Sequence, residues 1–353
     1  MTIVHVASIE LTISGGMGRI ASEWKLAFEK VGCIFIHIGW KELGKTTHPL
    51  LFGWKVRQYL LKQKIKPDFF LVHEPAAGFL YFKSIPLIVF SHGIEEIAWN
   101  QKIKFKYELL GWKSKLLPST LRFYSNNYGF KKANKILLSN NSDKDYLIQK
   151  KRIDPSKIII FKNGYYDYVL PKSIPTSNII CLFNASWIER KGIKLLVDAF
   201  NYLLTKYIFL KLRLAGTRLS DDGLYSKFNS SVKDQIEVIS NFTSVEEANI
   251  YYGASIFILP SYFEGQSLAL TQAMAVGLCP VAANNSGQTD LIEHEVNGLL
   301  FETGNTEQFI LEIEKLINDR SLILTFGEKA KQSVQDLKWE TVSNKLFEDL
   351  NLF

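Results

Sequence analysis

The residues best suited to chemistry are two basic side chains and one acidic side chain from separate parts of the sequence. Arg190 and Lys191 stand at the start of an apolar helical pattern, and Glu264 stands in a polar loop. Arginine binds phosphate in a bidentate fashion, and lysine acts on it as a point charge. A carboxylate accepts hydrogen bonds from sugar hydroxyls. These residue types together suit the binding of a ligand that carries both a phosphate and sugar hydroxyls.

The loop that carries Glu264 must lie between a strand and a helix. Ile256–Pro260 is a short apolar run rich in β-branched and aromatic residues, which predicts a buried strand. Apolar residues then recur at helical spacing over 268–276, and Gly277 can end that helix. The order of strand, polar loop and helix places Glu264 just before a helix N-terminus.

A helix N-terminus at this point can hold a diphosphate. Its first backbone N–H groups, near Ser267 and Leu268, lack partners within the helix, and the helix dipole adds a partial positive charge. Gly265 in the same loop lets a ligand approach the backbone closely. The loop 261–267 is therefore predicted to bind a diphosphate.

Strands and helices alternate along the whole chain in two series. A linker rich in Pro and Ser, residues 171–178, separates the two series. This arrangement predicts the α/β class, with two doubly wound domains that face a cleft. From Thr306 onward the pattern is helical. The predicted strands are 3–7, 33–38, 69–72, 87–90, 137–139 and 158–161, then 179–183, 210–214, 237–242, 256–260 and 281–283.

The first series carries its own candidates at the ends of predicted strands. Gly15 and Gly16 follow the first strand, as either a tight turn or a loop close to a phosphate or sugar. Their spacing is not GxGxxG, so a nicotinamide cofactor is disfavoured. His73 and His92 follow two further strands and are either structural hydrogen-bonding residues or ligands of the substrate.

Composition sets limits on where the protein acts. The 353 residues carry a net charge of +7, with 26 Lys and Arg against 13 Asp and Glu up to residue 170, and 16 against 22 after it. The basic first half favours an anionic partner or surface. Three cysteines in apolar runs indicate a reducing compartment. The start has no signal-peptide pattern, and no run reaches the roughly 20 apolar residues of a membrane span. A cytoplasmic protein is expected.

A basic and aromatic stretch at 101–135 is the strongest surface signal. Nine Lys or Arg face one acid, Glu108, and are interleaved with residues such as Phe105, Tyr107 and Trp112. This composition is typical of a peripheral contact with an anionic membrane, and equally of an amphipathic helix whose aromatic side chains join the core. Nucleic acid is not predicted, because no nucleic-acid-binding motif accompanies the stretch.

The motifs together resemble the retaining glycosyltransferases of family 4, which have the GT-B fold of two Rossmann-like domains. Glu264-Gly265 resembles the opening of the family's loop with two glutamates, and the sequence from Ala273 to Gly277 resembles its continuation. Ser286-Gly287 and the residues 296–300 are similar to the next family stretch. Lys191-Gly192 resembles the phosphate segment, Gly15-Gly16 the N-terminal glycine pair, and His92 the strand-end histidine.

The resemblance implies domains, chemistry and partners. The domains are expected at 1–170 for the acceptor and 171–335 for the nucleotide-sugar donor, with 336–353 crossing back to the first. It implies transfer of a sugar, with retention of configuration and without a metal, to a hydroxyl of a glycan or lipid-linked acceptor. The alternative is a nucleotide-sugar-binding protein or an epimerase-type enzyme of the same fold.

The resemblance also assigns residues. The expected catalytic residues are His92, Lys191 and Glu264. Gln272 stands where the family has its second glutamate, which contacts the ribose, and Ser186 replaces the usual phosphate-binding arginine. The residues expected to bind the donor or its nucleotide are Gly15, Gly16, Arg190, Lys191, Gly216, Phe242, Thr243, Glu264, Gly265, Ser267, Leu268 and Gln272.

Overall fold

The computed structural model describes residues 1–13, 15–44, 51–108, 112–168, 170 and 178–351, without the side chains of 112–121. The chain divides into two compact units. The first unit contains 1–100, 109–163 and 339–353, and the second contains 101–108 and 164–338. Most of the predicted linker, 171–177, lies outside the described residues.

The first unit is built on a six-stranded parallel sheet in the order β2-β1-β3-β4-β5-β6. The strands in the middle of the sheet are buried on both faces, which explains why they read as short apolar runs. The strands are β1 Thr2–Val6, β2 Ile34–Ile38, β3 Phe69–His73, β4 Leu87–Ser91, β5 Lys135–Leu138 and β6 Ile158–Ile160.

Helices connect these strands and cover both faces of the sheet. A helix from the end of the chain also belongs to this unit, because Phe347 packs against Phe28 with ring centroids 4.9 Å apart. The helices are α1 Gly16–Lys30, α2 Trp40–Leu43, α3 Phe52–Gln63, α4 Glu95–Phe105, α5 Trp112–Lys132 and α6 Asn141–Lys151, and the helix from the chain end is Trp339–Asp349. The last turn of α4 falls in the second unit.

The second unit repeats the plan with a six-stranded parallel sheet in the order β12-β11-β10-β7-β8-β9. Two apolar clusters fill the space between its faces and its helices. The strands are β7 Ile179–Asn184, β8 Leu210–Ala215, β9 Ile236–Ile239, β10 Ile256–Leu259, β11 Cys279–Asn284 and β12 Leu299–Glu302.

The second unit contains short helical turns as well as longer helices. A 3-10 turn at Glu189–Lys191 precedes the first long helix of the unit. The helices are α7 Ile193–Lys206, α8 Asp221–Tyr225, α9 Glu247–Tyr251, α10 Leu268–Ala275, α11 Ser286–Thr289, α12 Thr306–Asn318 and α13 Ser321–Ser333, and the helix Trp339–Asp349 of the first unit follows as α14.

The predicted strands are confirmed with small changes at their ends. The strand predicted at 237–242 ends at Ile239, so Phe242 lies in the loop that follows it. One strand, β12, was absent from the prediction because Leu299 and Leu300 stood inside a motif. The helical tail is confirmed from Thr306 to Asp349, as the three helices α12, α13 and α14. No helix in the described ranges combines the length and apolar character needed to cross a lipid bilayer.

Candidate functional site

The order of the strands in the second unit fixes where its functional loops meet. Strand β7 lies between β8 and β10, so the chain moves outward in opposite directions from this point. The loops that follow β7 and β10 therefore diverge to opposite faces and leave a crevice at the strand ends, where α/β proteins bind ligands. Lys191 lies after β7 and Glu264 after β10.

The two loops are joined by a buried ion pair. Nζ of Lys191 lies 2.6 Å from Oε1 of Glu264, and these side chains are 14% and 8% exposed. Nη1 of Arg190 lies 3.5 Å from Oε2 of the same carboxylate. Arg190 also donates a 2.7 Å hydrogen bond to the carbonyl of Phe263. The structure thus brings together three of the predicted site residues, which we call the Glu264 cluster.

The cluster carries a net positive charge, because two cations share one carboxylate. Burial alone would raise the pKa of Glu264, but Lys191 and Arg190 outweigh it and hold that pKa below its usual value. Burial lowers the pKa of Lys191, and the carboxylate of Glu264 opposes this change. The remaining positive charge is available to an anion such as a diphosphate.

Close backbone packing holds the loop of Glu264 in place. The N–H of Gly287 donates to the carbonyl of Glu264 at 3.2 Å, and a Cβ at Gly287 would collide with the carbonyl of Gly265. Asn285 donates a 2.7 Å hydrogen bond to the carbonyl of Ser261. These contacts explain why the motif Ser286-Gly287 accompanies Glu264-Gly265: a side chain at 287 would displace the loop.

The turn that presents Lys191 also depends on a glycine. Gly192 has a φ of 73°, which favours glycine, and a Cβ there would collide with the carbonyl of Pro260. The carbonyl of Arg190 accepts a hydrogen bond from the N–H of Tyr262 at 2.9 Å. The loops after β7 and β10 are therefore linked through their backbones as well as through the ion pair.

Ser267 has a structural role that accounts for its position. Its Oγ accepts a hydrogen bond from the N–H of Leu270 at 3.3 Å and so caps helix α10. Gln266 donates to the hydroxyl of Thr271 at 3.1 Å. The predicted helix start is confirmed, and Leu268 is its first residue.

The side chain of Gln272 is engaged by the backbone of the same unit. Its Oε1 accepts from the N–H of Tyr166 at 2.8 Å, and its Nε2 donates to the carbonyl of Tyr166 at 2.8 Å. Gln272 is 2% exposed. A glutamate could accept the first hydrogen bond but, when ionised, could not donate the second. The replacement of glutamate by glutamine is therefore consistent with a structural tie to residue 166.

The remaining predicted nucleotide-binding residues lie near the ends of β8 and β9. Gly216 has a φ of 65°, and a Cβ there would lie 3.0 Å from Oδ1 of Asn184 and 3.2 Å from the ring of Phe242. Gly216 and Phe242 are thus adjacent, beside the end of β7. Thr243 donates both its N–H and its hydroxyl to the carboxylate of Glu246 at 2.8 Å.

Three aromatic rings beside the Glu264 cluster were not predicted as site residues. Tyr107 stacks on Tyr262 with centroids 4.9 Å apart, and Phe105 lies 5.1 Å from the same ring. Burial raises the pKa of Tyr107 to about 12, and the charge of Arg190 opposes this. The sequence held one signal for these rings, since Tyr262 is two residues from Glu264. It gave none for Phe105 and Tyr107, which lie in the basic and aromatic stretch at 101–135. Their partner Tyr262 shows that the two rings pack within the second unit.

The first unit has its own reversal of strand order around β1, and its glycine pair and histidines lie on or after the strands β1 to β4. Gly15 and Gly16 have φ values of 122° and 63° and start helix α1. His5 lies on β1 opposite His37 on β2. His73 ends β3, and His92 follows β4.

These four histidines form a continuous series of close nitrogen contacts, which we call the imidazole chain. Nδ1 of His37 lies 2.9 Å from Nδ1 of His5, and Nε2 of His5 lies 3.1 Å from Nε2 of His73. Nδ1 of His73 lies 3.2 Å from Nε2 of His92. Nε2 of His37 lies 3.1 Å from the carbonyl oxygen of Ile9. The sequence pointed to His73 and His92 but missed the other two.

The environment of the imidazole chain favours neutral rings. Burial and the neighbouring imidazoles hold the pKa values of His5 and His73 well below their usual range. Burial lowers the pKa of His92 to about 3. Burial also lowers the pKa of His37, although the Ile9 carbonyl and Glu42 oppose it. Across the described ranges, no group of three or more His, Cys, Asp or Glu side chains is arranged to hold a metal ion.

Residues 171–333 match the family model described as glycosyl transferases group 1. This range covers most of the second unit and just under half of the chain. It contains both loops of the Glu264 cluster.

Curated relatives carry glycosyltransferase names. The chain is 32% identical over 155 residues to an uncharacterized glycosyltransferase of Haemophilus influenzae, with 43% of each protein covered, so less than half of that relative is spanned. It is 26% identical to the uncharacterized glycosyltransferase MJ1178 of Methanocaldococcus jannaschii, covering 76% of this chain and 70% of the relative. It is 22% identical to the Escherichia coli UDP-Gal:alpha-D-GlcNAc-diphosphoundecaprenol alpha-1,3-galactosyltransferase, covering 75% and 70%.

Solved structures match the fold over nearly the whole chain. Sucrose-phosphate synthase from Thermosynechococcus elongatus gives a TM-score of 0.78 at 16% identity, with 99% of this chain and 98% of that chain covered. HepE of Anabaena, solved in complex with UDP, gives a TM-score of 0.73 at 16% identity, with 100% of both chains covered. These likenesses confirm the predicted GT-B fold of two Rossmann-like units.

We expect the pairing of Lys191 with Glu264 to stabilise the second unit. Lys191→Ala should lower the free energy of unfolding by about 3 kcal/mol, because it leaves a buried carboxylate with only the more distant Arg190. Replacing both partners, in Lys191→Met with Glu264→Gln, should restore much of the loss. Lys194→Ala is the matched control, since its pair with Asp198 is exposed and worth under about 1 kcal/mol. Urea unfolding measures all four proteins, and equal losses at 191 and 194 would contradict the expectation.

We expect the imidazole chain to make folding sensitive to acid. Because the folded pKa values are depressed, the unfolded chain binds more protons below about pH 6.5, and stability falls as pH decreases from neutrality. Each buried histidine contributes at most about 1.4 kcal/mol per pH unit. Glu74, whose pKa is raised by burial and by Glu95, acts in the opposite direction. The measurement is therefore the difference in slope between the parent and His73→Leu, in urea unfolding between pH 5 and 7. Parallel slopes would refute the depressed pKa of His73.

Proposed function

We propose that this chain, whose second unit is a group 1 glycosyltransferase domain, transfers a sugar from a nucleotide-diphosphate sugar to a hydroxyl of a glycan or glycolipid acceptor. The observation that carries the proposal is the Glu264 cluster at the reversal of strand order in the second unit. The UDP bound to HepE, a protein of the same fold, supports a nucleotide donor.

The donor diphosphate would bind between the Glu264 cluster and the start of α10. Lys191 and Arg190 supply fixed positive charge, and the first N–H groups of α10 near Ser267 and Leu268 supply further donors. As the glycosidic bond breaks, charge grows on the leaving diphosphate, and these groups stabilise it without rearranging. The same cations would do the work that a metal ion does in other sites, so no metal is required.

Glu264 would orient the donor sugar rather than remove a proton. Its carboxylate is ionised and can accept hydrogen bonds from sugar hydroxyls beyond those of its cationic neighbours. Its lowered pKa also makes it a weak base. We therefore infer that the leaving diphosphate takes the proton of the acceptor hydroxyl on the same face of the sugar, which retains the configuration. His92 and the pair Gly15-Gly16 in the first unit are proposed to contact the sugar or its phosphates.

Gly216, Phe242, Thr243 and Gln272 are proposed to surround the nucleotide. Gly216 and Phe242 form an adjacent pair near the end of β7 that can approach a base or ribose closely. Gln272 would act through its tie to Tyr166, by fixing the position of residue 166 beside α10. This assignment places the nucleotide along the ends of β7, β8 and β10.

The acceptor is proposed to be lipid-linked or close to a membrane on the cytoplasmic side. The E. coli relative is named for a diphosphoundecaprenol acceptor, which is such a lipid. In the basic stretch, Lys104 and Lys106 are exposed, and Ile103 is 51% exposed. Trp112 and its neighbours up to residue 121 lie outside the described side chains.

The proposed reaction predicts release of a nucleoside diphosphate. The full-length protein should release it from at least one of UDP-glucose, UDP-galactose, UDP-N-acetylglucosamine, GDP-mannose and ADP-glucose. Lys191→Met should lower the rate about 100-fold, the scale of one lost electrostatic donor, while Lys194→Met should not. Tm must be recorded with each rate, so that assays stay below unfolding. Conversion of a nucleotide sugar to an isomer without release would instead identify an epimerase, and a normal rate in Lys191→Met would remove its phosphate role.

The proposed membrane contact predicts binding to anionic vesicles. The protein should sediment with vesicles of phosphatidylglycerol at low salt, bind phosphatidylcholine weakly, and be released by high salt, because each basic residue near the surface contributes about 1 kcal/mol. Replacing Lys104, Lys106, Lys113 and Lys115 with glutamine should abolish most of the binding. Neutralising four lysines outside the basic stretch instead, Lys194, Lys211, Lys227 and Lys233, is the control. Absence of binding by the parent protein at low salt would make a soluble acceptor the better proposal.

A further inference from the structure

The hydrogen bonds of the imidazole chain run in one direction, which is set at the end next to the carbonyl of Ile9. The carbonyl oxygen of Ile9 can only accept a hydrogen bond, so Nε2 of His37, 3.1 Å away, must carry a hydrogen. A neutral imidazole carries one ring hydrogen, and therefore Nδ1 of His37 is an acceptor. The hydrogen between His37 and His5 must then belong to Nδ1 of His5.

The same reasoning assigns each ring in turn. Because His5 donates through Nδ1, its Nε2 accepts from Nε2 of His73. Nδ1 of His73 then accepts from Nε2 of His92. His92 is left with an unprotonated Nδ1, and His5 is the one ring of the four with its hydrogen on Nδ1. Any other neutral assignment puts two lone pairs or two hydrogens face to face at one contact.

We propose that the imidazole chain fixes His92 in the Nε2–H tautomer, so that Nδ1 of His92 serves as a hydrogen-bond acceptor for a sugar hydroxyl. His5, His37 and His73 are then positioning residues that act through His92. The fixed tautomer rests on the contacts and on the neutral state of the buried rings, whereas the hydroxyl partner rests on the proposed function. His92 is half-buried and follows the end of β4.

The groups around the chain keep its rings neutral. The rings face one another, with Trp24 against His5 and His73. Glu42 is the carboxylate that acts on His37, and it accepts a 2.7 Å hydrogen bond from the N–H of Gly39. Burial dominates at every ring and disfavours the charged form. A charged ring would carry a hydrogen on both nitrogens, and the hydrogen bonds of the imidazole chain would then no longer run in one direction.

Gly39 leaves room for the hydrogen bond that sets the direction. A Cβ at this position would lie 2.8 Å from Nε2 of His37 and closer still to the carbonyl oxygen of Ile9. The φ of Gly39 is −120°, which any residue adopts, so backbone conformation does not require glycine here. Gly39→Ala therefore offers a way to break the end of the chain without removing a histidine.

The test of the tautomers needs no substrate. Long-range proton–nitrogen correlation spectra of the full-length protein with ¹⁵N-labelled histidine, at neutral pH, distinguish Nδ1–H from Nε2–H rings. We expect Nδ1–H for His5 and Nε2–H for His37, His73 and His92. His294, whose Nδ1 accepts from the N–H of Leu300, is an internal reference for an Nε2–H ring. A different tautomer at any of the four rings, or an imidazolium, would overturn the proposal.

Variants at the start of the chain test its effect on His92. In His37→Leu and in Gly39→Ala, the His92 signal should become a mixture of tautomers, and kcat/KM for nucleoside diphosphate release should fall about tenfold, the scale of one hydrogen bond. His294→Leu is the control and should change neither. Lower activity with an unchanged His92 tautomer would show a merely structural role and reject the positioning role. A mixed tautomer with full activity would reject the hydroxyl contact. If no sugar nucleotide is turned over at all, the proposed function is wrong. The tautomer spectra still show whether the imidazole chain fixes the tautomer of His92.

Discussion

A parallel sheet whose strand order reverses has one position where successive loops turn to opposite faces, and both units of this protein are organised around such a position. In the second unit it lies between β7 and β10, and in the first between β1 and β3. The diverging loops leave a crevice there, in which α/β proteins bind ligands. The polar residues that follow these strands are consequently held at the carboxyl edge of a rigid scaffold, where their backbone positions are set by the sheet.

The two units bury polar groups in different ways. In the second unit, Lys191 and Glu264 neutralise each other while Arg190 adds a surplus positive charge. In the first unit, His5 and His73 remain uncharged, and each imidazole satisfies its neighbour. The first arrangement creates a field for an anion, and the second creates oriented hydrogen-bonding atoms without a field.

The sequence predicted the sheets well because buried parallel strands read as apolar runs, and it predicted the loop of Glu264 because strand, loop and helix follow directly there. It could not predict which loops touch. Lys191 and Glu264 are far apart along the chain, and their pairing depends on the order of strands. The imidazole chain has the same origin, since His5 and His37 meet through the register of β1 with β2. Gln272 had been expected at a ribose, and its two bonds to Tyr166 are visible only once that backbone is placed.

Because residues 101–108 belong to the second unit, they limit where the chain can be cut to produce that unit alone. The ring of Phe105 lies over Gly304, where a Cβ would be 2.9 Å from it, and both Phe105 and Tyr107 cover the ring of Tyr262. A fragment beginning at Gly164 would contain every strand and loop of the second sheet, yet it would present Gly304 and Tyr262 to water. The second unit is thus discontinuous in the sequence, because the aromatic side chains of Phe105 and Tyr107 precede β5 of the first unit.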